Sequence, residues 1–158
     1  MEPQPPDLTA RITLLHHEVL AAWNRRDAAA FAALFADDAS SVGFDGSEMH
    51  GRAEIATTLA RIFADHQTAA YVARVRDVRP LATGVAVLSA VVGMVPPGQT
   101  DINPAVNAVQ TLVAVEREGA WRIAVLHNTP AAYHGRPDAA DALTAELREE
   151  FRAHGIAR

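Results

Sequence analysis

The chain has 158 residues, 49% of them hydrophobic, and a formal net charge of −5. That is the length of one domain with room for a core. The acidic balance argues against a nucleic-acid binder, and no apolar run reaches the ~18 residues needed to cross a bilayer. Cysteine is absent and all 14 basic residues are arginine. Disulfides, thiolate nucleophiles and Schiff-base lysines are therefore excluded. The start, MEPQPPDLTA, has no apolar signal core, so a soluble cytoplasmic protein is expected.

Residues 1–6 carry three prolines and read as a flexible leader. A domain over residues 7–135 and a C-terminal helix and tail over 136–158 are expected to follow. Asp7 has the chemistry of a helix N-cap. Leu8, Ile12, Leu15, Val19 and Trp23 then recur at helical spacing. Asp27 restarts a short helix with Phe31, Leu34 and Phe35 on its apolar side. Ala39 to Phe44 reads as a strand, Asp45-Gly46 as a hairpin turn and Ser47 to His50 as the return. After the break at Gly51 comes a third helix, with Ile55, Leu59, Ile62 and Phe63 inward.

Four β-patterned runs follow: Tyr71–Pro80, Gly84–Val95, Ala105–Glu116 and Ala120–Thr129. Arg117-Glu118-Gly119 joins the last two as a hairpin, and PPGQTDINP (Pro96–Pro104) is a long stiff connection. A final helix is expected from Pro137 to Arg152. Helices first and antiparallel hairpins later define an α+β architecture. Val85, Val87, Val91, Val92 and Val95 occupy both parities of one strand, so both sheet faces need cover. Helices take one face. A second copy of the chain is the economical cover for the other, giving a homodimer through the outer sheet face.

AAWNRRDAAAFAALFADDA, followed by a strand, a hairpin and HGRAEI, resembles the opening of SnoaL-like, or ketosteroid-isomerase-like, proteins of the nuclear-transport-factor-2-like superfamily. MVPPGQTDINPAVNAVQTLVAVEREGAWRIAVLHNTP resembles the SgcJ/EcaC group of that superfamily. The resemblance spans about Leu8 to Pro130. It implies a cone: a strongly bent antiparallel sheet wrapped around three N-terminal helices, with a pocket in its mouth. It also implies a setting in polyketide or enediyne-type secondary metabolism. Ketosteroid isomerases use a carboxylate base, a Tyr and a protonated Asp. The matching positions here hold Val42 or Gly43, Val19, and Gln110 or Thr111. All three roles look vacant.

The remaining candidates for chemistry gather near VLHNTP. On a regular strand Trp121, Ile123, Val125, His127 and Thr129 share one face, and Leu126 and Asn128 take the other. His127 is the candidate acid/base or a structural histidine; Asn128 reads as structural. Counting back from a turn at Glu118–Gly119 sets Gln110 opposite Leu126 or His127, and Asn107 opposite about Thr129. Gln110 and Asn107 would then orient a ligand oxygen, or simply satisfy one another in a buried cluster. Asp101, in the proline-rich loop, is the nearest carboxylate for His127, and that loop could act as a lid.

Trp23, Phe44, Met49, Phe63, Tyr71 and Met94 are candidate walls for an apolar ligand, or plain core. His50 could face the mouth or sit in a turn. Arg74 and Arg76 could clamp an anion or lie on a solvated edge. Adjacent His16 and His17 cannot share a metal, no other spacing suggests one, and no dinucleotide fingerprint appears; no metal or cofactor is expected. Two functions fit: a small-molecule pocket protein performing a cofactor-free proton transfer such as isomerisation, cyclisation or dehydration, or a non-catalytic binding or accessory dimer.

Overall fold

The computed structural model describes residues 7–158; the leader expected at residues 1–6 lies outside the described residues. The elements in chain order are α1 (Leu8–Asn24), α2 (Ala28–Ala33), β1 (Phe35–Val42), β2 (Glu48–His50), α3 (Arg52–Asp65), β3 (Ala70–Ala82), β4 (Val85–Val95), β5 (Ala108–Arg117), β6 (Ala120–Pro130) and α4 (Pro137–His154). A single 3₁₀ turn over Pro104–Val106 precedes β5. The architecture is mixed α+β, with α1 to α3 against one face of a bent, unclosed six-stranded sheet.

Local chemistry sets the boundaries. Asp7 Oδ1 accepts from the Ala10 N–H at 2.7 Å and Asp27 Oδ1 from the Ala30 N–H at 3.0 Å, so each aspartate caps a helix. Gly51 adopts φ +86°, and a Cβ there would come within 3.2 Å of the Asp37 carbonyl. Only glycine lets the chain leave β2 and enter α3 so tightly. Phe35, expected on a helix, opens β1 instead and is fully buried. Its backbone has left the helix because β6 pairs with it, and tertiary pairing outweighs propensity at such a boundary.

The strand order is β2-β1-β6-β5-β4-β3. The sheet is not purely antiparallel: β1 runs parallel to β6, with Ser40, Ser41 and Val42 beside Val125, Leu126 and His127. This pairing joins the first strand to the last and places the N-terminal helices under the long hairpins. The core on that face includes Ile12, Val19, Leu59, Leu88, Leu112 and Ile123, each at most 1% exposed.

The outer face is covered differently from the expectation. Over β3 and β4 the cover comes from within the chain: α4 buries Leu143 and Leu147 against Val72, Val91, Val95 and Ile102. Arg74 and Arg76 neither clamp an anion nor face solvent alone. Arg74 donates to Glu150 at 2.9 Å and to Glu146 at 3.2 Å, and Arg76 pairs with Glu146, pinning β3 to α4. The proline-rich loop belongs to this outer layer too. Ile102 is buried in it, and Arg148 of α4 holds both carboxylate oxygens of Asp101 at 3.1 and 3.0 Å. The loop is therefore tied to α4.

Leu147 is fully buried under α4. Leu147→Ala should cost about 2–5 kcal/mol, the range for a leucine truncated in a packed core. Urea unfolding would measure it. A loss below about 1 kcal/mol would mean that α4 contributes little to the fold.

Candidate functional site

The inner face of the sheet and the three helices leave a cavity of about 580 Å³ between them. Its deep walls are apolar: Leu20, Trp23 and Phe31 from the helices, Met94 from β4 and Leu126 from β6. Phe44, Met49 and Ile62 stand nearer the β1–β2 turn and α3. Asp45, Glu48, Glu54 and Arg61 add charge to the lining from that turn and from β2 and α3. The polar side chains contributed by the long strands are neutral: Tyr71, Gln110 and Asn128.

Those groups are held by a hydrogen-bond chain with a defined direction. Asn128 Nδ2 donates to the Val42 carbonyl at 3.0 Å. Gln110 Nε2 donates to Asn128 Oδ1 at 3.1 Å. His16 Nε2 lies 2.9 Å from Gln110 Oε1. A backbone carbonyl can only accept, so it fixes the Asn128 amide. Asn128 then fixes Gln110, and Gln110 presents an oxygen to His16. The His16 proton must therefore sit on Nε2.

Gln110 is 1% exposed and His16 2%. Burial pushes the His16 pKa below 6.5; the Gln110 bond opposes that, and the His17 charge adds to it. Burial pushes the Tyr71 phenol up to about 12, with its hydrogen bond to Gln110 acting the other way. Asn24 fixes Tyr71 through the backbone, accepting from its N–H at 2.7 Å and donating to its carbonyl at 3.1 Å. The site thus contains an un-ionised phenol and two oriented amides. What it has left for a ligand is chiefly donors, the second Asn128 N–H and the Tyr71 hydroxyl.

The structure gathers six of the ten sequence candidates on this cavity: Trp23, Phe44, Met49, Tyr71, Met94 and Gln110. Phe63 stands behind it, edge-on to Trp23 with ring centroids 5.3 Å apart. Asn107 lies under α4, donating to Thr144 at 3.0 Å, and its Oδ1 is buried without a partner among the described residues. Asp101 meets Arg148, which holds its carboxyl below the ordinary carboxylate range; it does not reach His127. His50 is exposed and bonds Glu48 at 3.2 Å.

His127 does not meet Gln110. The β5–β6 register shifts between Val113 and Ala114: Val113 faces Val125 while Ala114 faces Ile123, leaving Ala124 as an extra residue. This β-bulge moves every later β6 residue by one. Asn128 comes opposite Gln110, and His127 opposite Thr111. His127 faces outward and bonds Ser40 at 3.0 Å. His16, Asn128 and Asn24 are the site residues that sequence reasoning missed. His16 had a usable signal: it lies one turn from Ile12 and Leu20 on the buried stripe of α1.

Among the described residues no group of three or more His, Asp or Glu side chains is placed to hold a metal ion. A six-stranded sheet cupped around three helices, with an apolar cavity floored by neutral donors, has the form of a small-molecule pocket. The chain belongs to the SnoaL-like family, whose domain matches residues 12–133. Among solved structures it is similar to a domain of unknown function with a cystatin-like fold from Nostoc punctiforme, with 27% identity, TM-score 0.75 and 92% of each chain covered. An uncharacterised protein with a cystatin-like fold from Caulobacter vibrioides is 30% identical, covering 85% of this chain and 94% of that one at TM-score 0.63. A ketosteroid isomerase-like protein from Erwinia carotovora atroseptica shares the fold at 18% identity and TM-score 0.61, over 78% and 95% of the two chains. No curated protein matches the chain.

Because folding lowers the His16 pKa, the unfolded chain takes up that proton first as pH falls. His16 therefore makes stability decline as pH drops below 6.5. His16→Gln keeps an N–H for Gln110 and cannot titrate. Its stability between pH 6.5 and 4.5 should fall less steeply, by up to about 1.4 kcal/mol per pH unit. Urea unfolding across that range measures the slope, and equal slopes for both proteins would show that His16 takes up its proton without cost in the fold.

Proposed function

We propose that the cavity binds a small, largely apolar molecule and holds one of its acceptor oxygens against Tyr71 and Asn128, with Gln110 orienting both. The observation that carries this is the neutral, oriented donor set inside apolar walls. Binding without catalysis is the preferred reading, because the polar groups from β3, β5 and β6 that line the cavity are an un-ionised phenol and two amides. A proton-transfer step, by isomerisation, cyclisation or dehydration, is the second reading. It is favoured by Glu48 and Glu54, the carboxylates that line the cavity from β2 and α3, and it would use one of them as base. Such a step would not use His127 or Asp101, whose side chains are committed elsewhere.

Membership of the SgcJ/EcaC group, a place in secondary metabolism and a cytoplasmic location are part of the same proposal. The support for the group and its metabolic setting is the sequence of the proline-rich loop and of β5 and β6. No helix of the described residues is long and apolar enough to cross a membrane.

Paired probes test the pocket: 2-acetylnaphthalene against 2-ethylnaphthalene, followed by titration calorimetry. The ketone should bind at least about fivefold more tightly, the value of roughly one net hydrogen bond. Tyr71→Phe should remove most of that margin without weakening the hydrocarbon. Tyr71 holds its proton across pH 6 to 9, so the ketone's affinity should stay flat there. Failure of both probes to bind would reject the pocket; equal binding would reject the donor floor.

A homodimer is proposed through the part of the outer sheet left bare by α4. There Val87, Val113 and Val125 are only half-buried, with Ser89, Thr111 and His127 among them. Val113→Arg should convert a dimer to a monomer in light scattering. A monomeric parent protein would end the idea.

A further inference from the structure

His16 also stands in the wall of a second cavity, about 420 Å³, between α1, β3 and residues 150–157. Its lining shares only Leu20 with the first cavity. Much of it is apolar: Leu20, Ala73, Val75, Ile156 and Ala157. Its charged residues largely answer one another. Arg74 donates to Glu150 at 2.9 Å, and His154 Nδ1 lies 2.9 Å from the same carboxylate. His17 Nε2 is 2.7 Å from the Arg158 carbonyl.

His16 Nδ1 is different. The chain that ends on the Val42 carbonyl places the only proton of the neutral ring on Nε2. Nδ1 is then a bare lone pair, with no hydrogen-bond partner among the described residues. The ring is 2% exposed and forms part of the cavity wall, so an occupant of the cavity is what can meet this lone pair. A ligand with a hydrogen-bond donor on an apolar body satisfies it. A carboxylate would meet lone pair against lone pair. A cation would face the same desolvation that disfavours the imidazolium itself.

We infer that the second cavity is a binding site for a small neutral hydroxyl compound, a phenol or an alcohol, whose O–H donates to His16 Nδ1. The two cavities are then chemically opposite. The first offers donors to an acceptor oxygen, and the second offers an acceptor to a donor. They meet at the His16–Gln110 bond. A donor on Nδ1 polarises the ring and strengthens the Nε2–H donated to Gln110, as hydrogen-bond chains do.

The test uses 4-fluorophenol and 4-fluoroanisole, of similar shape, the second without a donor. Histidine-ring ¹⁵N spectra of the whole chain should first show His16 protonated on Nε2. 4-Fluorophenol should then shift the His16 Nδ1 resonance saturably, and 4-fluoroanisole should bind at least about tenfold more weakly. Ala73→Leu, which fills the cavity from β3, should abolish the shift and leave 2-acetylnaphthalene affinity within about twofold. Ile156→Trp fills it from the opposite side and serves if the first variant does not fold. A proton on Nδ1, equal affinities for the two probes, or phenol binding that survives a filling variant that folds would each overturn the proposal. Because 2-acetylnaphthalene reports on the first cavity alone, loss of one site is distinguishable from loss of the other.

Discussion

The carbonyl of Val42 is the fixed point of this structure. It accepts from Asn128, and that one bond sets the orientation of two amides and the tautomer of a buried histidine. The chain crosses four elements, β1, β6, β5 and α1, so it ties the parallel strand pair to the first helix. None of its members could be reversed alone. Turning Asn128 over would set oxygen against oxygen at Val42, and the mismatch would pass along to His16. Buried polar networks specify structure in this way.

The two faces of the sheet solve the same problem by different means. The inner face packs apolar residues against α1 to α3 and leaves space near the β1–β2 turn. The outer face is shared between α4, the proline-rich loop and a bare area. The α4 layer combines apolar burial with the Arg74, Arg76, Glu146 and Glu150 ion pairs. Partly exposed pairs of this kind contribute modestly by themselves. Their main effect is positional: they fix α4 across β3, and Arg148 then fixes the loop through Asp101.

Most of the fold was legible because its signals are local. The N-caps at Asp7 and Asp27, the break at Gly51, the turn at Glu118–Gly119 and the period of each strand are all written within a few residues. The apolar walls of the cavity were legible for the same reason. Three things were not. The parallel β1–β6 pair depends on residues some ninety positions apart and has no local mark. The cover supplied by α4 could not be told from cover by a second chain, since either would bury outward-facing valines. The histidine in the site was not singled out. Strand parity was extended through Ala124, where the ladder takes in an extra residue, so His127 was set on the same face as Ile123. His16, the histidine that does touch Gln110, lay in plain view on the buried stripe of α1.

That extra residue has a wider meaning. Pairing β5 and β6 without the bulge, every residue kept, would set His127, not Asn128, beside Gln110. The same letters would then spell a cavity with a titratable imidazole where it now has a neutral amide. Between the two versions no cavity residue need be substituted and the count of residues is unchanged; only the pairing shifts. The reactivity of this pocket is thus held partly in backbone phase. A lineage could gain or lose a proton-transfer group by opening or closing the bulge, a route that comparing side chains column by column would not reveal.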